Sequence, residues 1–263
     1  MPPAGSSFTP LNLPPTFTLP PCLEYFTLTA GPNTDLWRKP PNGDVSTAPI
    51  VFTSLRSAFV LAEVTVSADW EMEWDQGGLV IFAGAAPRSF SSDAPGRTPR
   101  LGGGPPRPGK WVKAGMEFCS GTVHASSVSA TADGADWCLS PLCVPEPRGG
   151  GGRREGGGGG GGGVGIQSLR IKLERIGHAL WIWYQVPSAV PTGMTMTPEA
   201  VSSTWKKLRE VTWFFYGVEE KFVHVGVYAS RPNGVAGRDE AMWTMHGGET
   251  EGLVVEFEDL EIF

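Results

Sequence analysis

The chain has 263 residues, 40% of them hydrophobic, enough to bury a sizeable core as one large domain or two small ones. A formal net charge of −6 and the lack of any Lys/Arg stripe or tail argue against nucleic acid as a partner. Four cysteines without a CxxC pair make no disulfide framework, and no run of about 18 apolar residues is present to span a membrane.

In chain order, residues 1–24 are proline-rich with little periodicity and read as an extended arm. No basic region followed by an apolar run occurs there, so no secretory signal is expected, and a cytoplasmic protein with reduced thiols is. Residues 25–263 read as one domain. Short strands are expected at Tyr25–Thr29, Leu36–Arg38, Ile50–Phe52 and Phe59–Val66, separated by Gly/Pro/Asn turns. An acidic turn from Asp69 to Gln76 leads into an apolar strand, Gly78–Ala83. Residues 88–109 are rich in Gly and Pro and read as an insertion between adjacent strands.

The next segment is the most informative. From Trp111 to Phe118 the residues alternate: Trp111, Lys113, Gly115 and Glu117 point one way, and Val112, Ala114, Met116 and Phe118 the other. The expectation is a strand with one wet, chemically equipped face and one buried face. Gly121 turns this strand into another, Thr122–Ala130, and Asp136–Leu139 forms a third. Residues 141–165 hold the run Gly156–Gly163, which cannot pack, and read as a second insertion.

Beyond it, strands are expected at Ser168–Ile176, Ala179–Tyr184, Lys221–Tyr228 and Leu253–Phe263, with one helical turn near Pro198. Lys206–Phe215 fits helix or strand, and its β-branched and aromatic end favours strand. About a dozen short strands without crossover helices predict an all-β fold, a two-sheet antiparallel jelly-roll sandwich.

Trp74-Asp75-Gln76-Gly77-Gly78-Leu79 and Lys110–Glu117 resemble the regulation-of-enolase protein family, a domain of unknown function. Asp136-Trp137, Trp205–Phe215 and Phe257-Glu258-Asp259 fit the same pattern. The resemblance covers about residues 25–263 and implies a concanavalin A-like lectin/glucanase fold. It implies a link to the control of enolase through the family name alone, and it carries over no catalytic residues.

Three constellations bear on chemistry. Sugar binding needs an aromatic platform for the ring and amide or charged groups for its hydroxyls. Trp111, Lys113 and Glu117, joined by Asp75, Gln76, Trp181 or Trp183, supply both, and these seven are the candidate ligand-binding residues. The bland alternative is an ion pair of Lys113 with Glu117 over a packed Trp111. Glu71, Glu73 and Asp75 superficially match the acid-x-acid-x-acid strand of jelly-roll glucanases, but the run reads better as a turn in which Asp75 caps backbone amides. His124, His178, His224 and His246 are far apart, none with a second ligand at zinc spacing, so no metal and no cofactor is expected. There is no G-x-S-x-G elbow.

The reading is a non-catalytic domain that takes a carbohydrate or a protein partner on one sheet face, with no membrane or nucleic-acid partner. The alternatives are an intracellular regulatory protein without a sugar ligand, and a glycoside hydrolase. The oligomeric state is left open.

Overall fold

In the computed structural model the described residues are 7–40, 44–55, 58–84, 86–88, 109–142, 166–187, 204–218, 222–233 and 252–263. They form two large sheets and a small hairpin, with no α-helix among them and so no helix that could cross a membrane. The seven-stranded sheet runs in the order β1 (Phe8–Leu11), β5 (Ile50–Leu55), β14 (Val223–Ser230), β7 (Gln76–Ala83), β8 (Lys110–Cys119), β9 (Thr122–Thr131) and β10 (Gly134–Pro141). The six-stranded sheet runs β13 (Lys206–Val211), β12 (Ala179–Gln185), β11 (Ser168–Ile176), β6 (Leu61–Ala68), β15 (Leu253–Ile262) and β2 (Tyr25–Ala30). β3 (Leu36–Arg38) and β4 (Asp44–Ser46) form the hairpin. Neighbouring strands are antiparallel throughout, as in a jelly-roll sandwich.

Alternation explains the layering. Val64 and Val66 of β6, Ile171 and Leu173 of β11, Ile182 of β12, and Val255 and Phe257 of β15 face inward from one sheet. Leu79 and Ile81 of β7, Val112, Ala114 and Met116 of β8, and Val225 and Val227 of β14 meet them from the other. Full burial of each large apolar side chain stabilises the sandwich by about 1.5–3 kcal/mol.

The seven-stranded sheet has a second core on its outer face. Ile50, Phe52, Val80, Phe82, Trp111, Val128 and Tyr228 pack there with Leu36, Ala48, Leu11 and Trp37 from β1, the β3–β4 hairpin and its flanks. Every position of β7 and β14 is therefore buried, and strict hydrophobic alternation is lost in both. The expected wet face of β8 is corrected by this packing: Trp111 is only 2% exposed, and Lys113 and Glu117 are buried beside it.

Two further differences have local causes. The proline-rich arm supplies a strand, β1, because Phe8–Leu11 pairs with the otherwise open edge of β5. The apolar end of Lys206–Phe215 is not strand beyond Val211; Thr212–Gly217 turns, which sinks Phe214 and Phe215 into the main core. Most of the two expected insertions, 88–109 and 141–165, and the helical turn expected near Pro198 lie outside the described residues.

Candidate functional site

The register of the outer face of the seven-stranded sheet places its side chains in rows. One row reads Ser126, Gly115, Gly78 and Tyr228 across β9, β8, β7 and β14; the next reads His124, Glu117, Gln76 and Ser230. Lys113 and Val80 flank the first row on its other side. Gly78 and Gly115 thus put no side chain at the centre. A Cβ at Gly115 would overlap Gly77 O, and one at Gly78 would overlap Ala114 O. The two glycines let the backbones of β7 and β8 come close together amid Lys113, Glu117, Gln76, Ser126 and Tyr228, all buried.

These side chains are held by specific bonds. The β8–β9 hairpin closes through Ser120 (φ 54°) and Gly121 (φ 75°), both left-handed, as a two-residue turn requires. That register sets Ser126 diagonal to Glu117. Glu117 Oε2 accepts hydrogen bonds from Ser126 Oγ and from Trp137 Nε1 (3.1 Å). Its other oxygen, Oε1, has no partner among the described residues. The Glu117 side chain is 3% exposed, while Trp137 is 43% exposed, so the carboxylate lies one side chain below the surface. Burial pushes the Glu117 carboxyl above its usual range; the Ser126 and Trp137 bonds and the charge of Lys113 oppose this only in part, and Asp35 adds to it.

Lys113 does not pair with Glu117. Its Nζ donates to Asp35 Oδ1 at 3.0 Å and lies 5.5 Å from the centre of the Tyr228 ring. Asp35 is fixed in turn by Leu36 N (2.7 Å). Tyr228 Oη donates to Gln76 Oε1 (3.4 Å), and Gln76 Nε2 donates to Trp74 O (3.2 Å). Burial, with Glu117 and Asp35 nearby, drives the Tyr228 hydroxyl well above its usual range, so it acts here as a donor. Trp74 holds a left-handed backbone (φ 70°) with its indole 42% exposed. Such a conformation is costly for a bulky residue and persists only where its surroundings enforce it.

The structure divides the sequence-predicted site residues into groups. Gln76, Lys113 and Glu117 come together around Gly78 and Gly115. Trp111 lies on the same face but is packed in the second core. Asp75 is fully buried and structural: it accepts from Arg231 Nε and Nη2 (both 2.8 Å) and caps Met72 N (2.9 Å) and Glu71 N (3.3 Å). Trp181 and Trp183 lie on β12, on the outward face of the other sheet, so they cannot share a ligand with the rest. They stack on each other at 5.7 Å, and Lys207 Nζ already lies 4.1 Å from the centre of the Trp181 ring.

The three acids of the Asp69–Gln76 turn also part company. Glu71 is exposed, Glu73 accepts from Ser120 N, and Asp75 is tied to Arg231, so no two converge across a cleft. Among the described residues no three metal-ligating side chains gather. Sequence reading missed Asp35, Ser126, Tyr228 and Arg231 as site residues. Asp35 lies in a turn, and only its contact with Lys113, 78 positions away, marks it.

Fold and site together define a two-sheet antiparallel jelly-roll sandwich with a cluster of buried polar side chains on the outer face of its larger sheet. The chain belongs to a family of proteins of unknown function, DUF1349, whose model matches residues 14–147. An uncharacterized protein of Emericella nidulans is 32% identical over 213 residues, covering 81% of this chain and 80% of that one. The crystal structure of a functionally unknown protein from Saccharomyces cerevisiae has the same fold, with a TM-score of 0.57 at 19% identity over 97% of this chain and 95% of that chain. The GH43 protein BlXynB of Bacillus licheniformis has a TM-score of 0.49 at 10% identity, over 91% of this chain and 32% of that one.

Proposed function

We propose that this protein is a non-catalytic binding domain that takes a hydroxylated, carbohydrate-like ligand at the polar cluster of Lys113, Glu117, Gln76, Ser126 and Tyr228. The observation that carries this reading is Glu117: one carboxylate oxygen is anchored by Ser126 and Trp137 and the other is unpartnered among the described residues. An acceptor that the described residues leave open, and that is not sealed from solvent, is available to a ligand hydroxyl or similar donor. The half-exposed indole of Trp137 is the aromatic surface available to a sugar ring there. Catalysis is disfavoured because the neighbouring Asp35 carboxylate is ion-paired with Lys113 through Oδ1, which also accepts from Leu36 N, and so is held as a structural charge. The cytoplasmic setting belongs to the same reading, supported by the free thiols Cys22, Cys119 and Cys138.

Calorimetric titration with a panel of mono- and oligosaccharides tests the proposal. Saturable binding, weakened about ten-fold or more by Trp137→Ala, is the expected result. Absence of binding across the panel by folded protein would remove it.

A second reading, a regulatory interaction protein of the regulation-of-enolase type, is favoured by a different surface. β15 presents Glu256, Glu258 and Asp259 outward, and this acidic strip suits a basic protein partner.

A further inference from the structure

We infer that the ligand of the Glu117 site carries a cationic amine, as an amino sugar does; this rests on the carbohydrate-like reading above. The argument is one of charge. Among the described residues, each cation paired on this face sits on a carboxylate of its own: Arg38 on Asp44, Lys113 on Asp35 at 3.0 Å, and Arg231 on Asp75 at 2.8 Å. Glu117 is the acid left over. Its partners, Ser126 and Trp137, are neutral donors. His124, directly across the strand pair, turns its Nδ1 to Thr122 O at 3.1 Å instead.

A carboxylate that is mostly withdrawn from water, with Lys113 nearby but no ion pair of its own among the described residues, has a place for a positive charge at its open oxygen. The surroundings fit an ammonium in a second way. Trp137 holds its indole N–H on the carboxylate and keeps much of its ring surface open. Aromatic faces next to an acid attract an alkylammonium through the ring quadrupole. A primary amine brings three donors, of which one suffices for Glu117 Oε1, leaving two for ligand or solvent. A neutral sugar hydroxyl can make the same hydrogen bond but leaves the charge uncompensated.

The test compares chemical twins at pH 7 by calorimetry: glucosamine and its short β-linked oligomers against their N-acetylated counterparts and the corresponding neutral glucose oligomers. The expected result is that the amines bind about ten-fold or more tightly than their N-acetylated and neutral twins, and that Glu117→Gln abolishes this preference. Glu210→Gln, the same change of net charge on an exposed residue of β13, should leave it intact. Amines bound no better than their neutral twins would overturn the inference while leaving the carbohydrate reading standing. An amine preference that survives Glu117→Gln, or falls equally with Glu210→Gln, would also overturn it, since the charge would then be recognised elsewhere. Binding by neither series would remove both. Circular dichroism of the variants checks that the fold is retained.

Discussion

Glu117 holds a negative charge where the fold disfavours one. Burial raises its carboxyl, so the folded state favours the protonated form more than the unfolded chain does. The contribution to stability is therefore fully present below the ordinary glutamate value of about 4.3 and is lost as pH rises through the raised folded value. Glu117→Gln keeps a side chain of the same shape and an acceptor oxygen for Ser126 and Trp137 while removing the charge. We expect this variant to melt at a higher temperature than the wild type at pH 7.5, with the gap closing as the pH is lowered toward 4. Thermal melts of both proteins across that range provide the check; a gap that widens toward acid would mean that the charged carboxylate is the favoured form in the folded protein. Asp75 makes an instructive contrast. It is buried more deeply than Glu117 yet is matched by a bidentate arginine and two backbone amides, so its charge is compensated within the chain and it needs no ligand.

The site depends on strand-level devices more than on any one side chain. β7 and β8 place Gly78 and Gly115 directly opposite each other, and neither position has room for a Cβ. Gly115→Ala should cost stability by at least the 1–3 kcal/mol typical of overpacking, roughly, because the clash is with backbone that cannot swing aside. Gly31→Ala, where a Cβ would meet nothing within 4 Å, should stay within about 0.5 kcal/mol of the wild type. Denaturant melts of the two variants measure both, and an innocuous Gly115→Ala would mean that the β7–β8 pairing is looser than its register implies.

The same elements show what a sequence reveals and what it hides. The alternation from Trp111 to Phe118 correctly assigns each side chain to a face, and the turn at Gly121 correctly yields the β8–β9 hairpin. Whether a face is wet is not a local property. Lys113 and Glu117 look like solvent residues because they are charged, and they are buried because distant parts of the chain close on them: Asp35 and Tyr228 on Lys113, and Ser126 and Trp137 on Glu117. Trp181 and Trp183 carry the same aromatic signature as Trp111 and lie on the opposite side of the molecule, since period-two patterning says nothing about which sheet a strand joins. Trp213-Phe214-Phe215 has the composition of a strand but closes a turn under the core, where burial of two phenyl rings outweighs β-propensity.

At the scale of the molecule, the six-stranded sheet covers one face of the larger sheet, while the other face relies on a thin cover assembled from the beginning of the chain. Without that cover the outer face would be an open, partly apolar sheet. Its attachment is identifiable. β1 pairs along β5 through Phe8–Leu11, and Asn12, in a left-handed conformation, donates from Nδ2 to Ser46 O (3.1 Å) and Ala48 O (2.7 Å). Asn12 thus ties the arm to the strand that caps the second core. Removing residues 1–12 takes away β1 and this tie together. It also leaves the edge of β5 with unpaired amides and carbonyls, the kind of edge to which other chains add. We expect the truncated protein to lose stability by more than Asn12→Ala alone, which should cost about 1–3 kcal/mol for two backbone acceptors left without their donor. It should also self-associate at concentrations where the full chain does not. Melting temperature and light scattering of the three proteins separate these effects. Equal melting temperatures with no change in scattering would show that the second core stands without the arm.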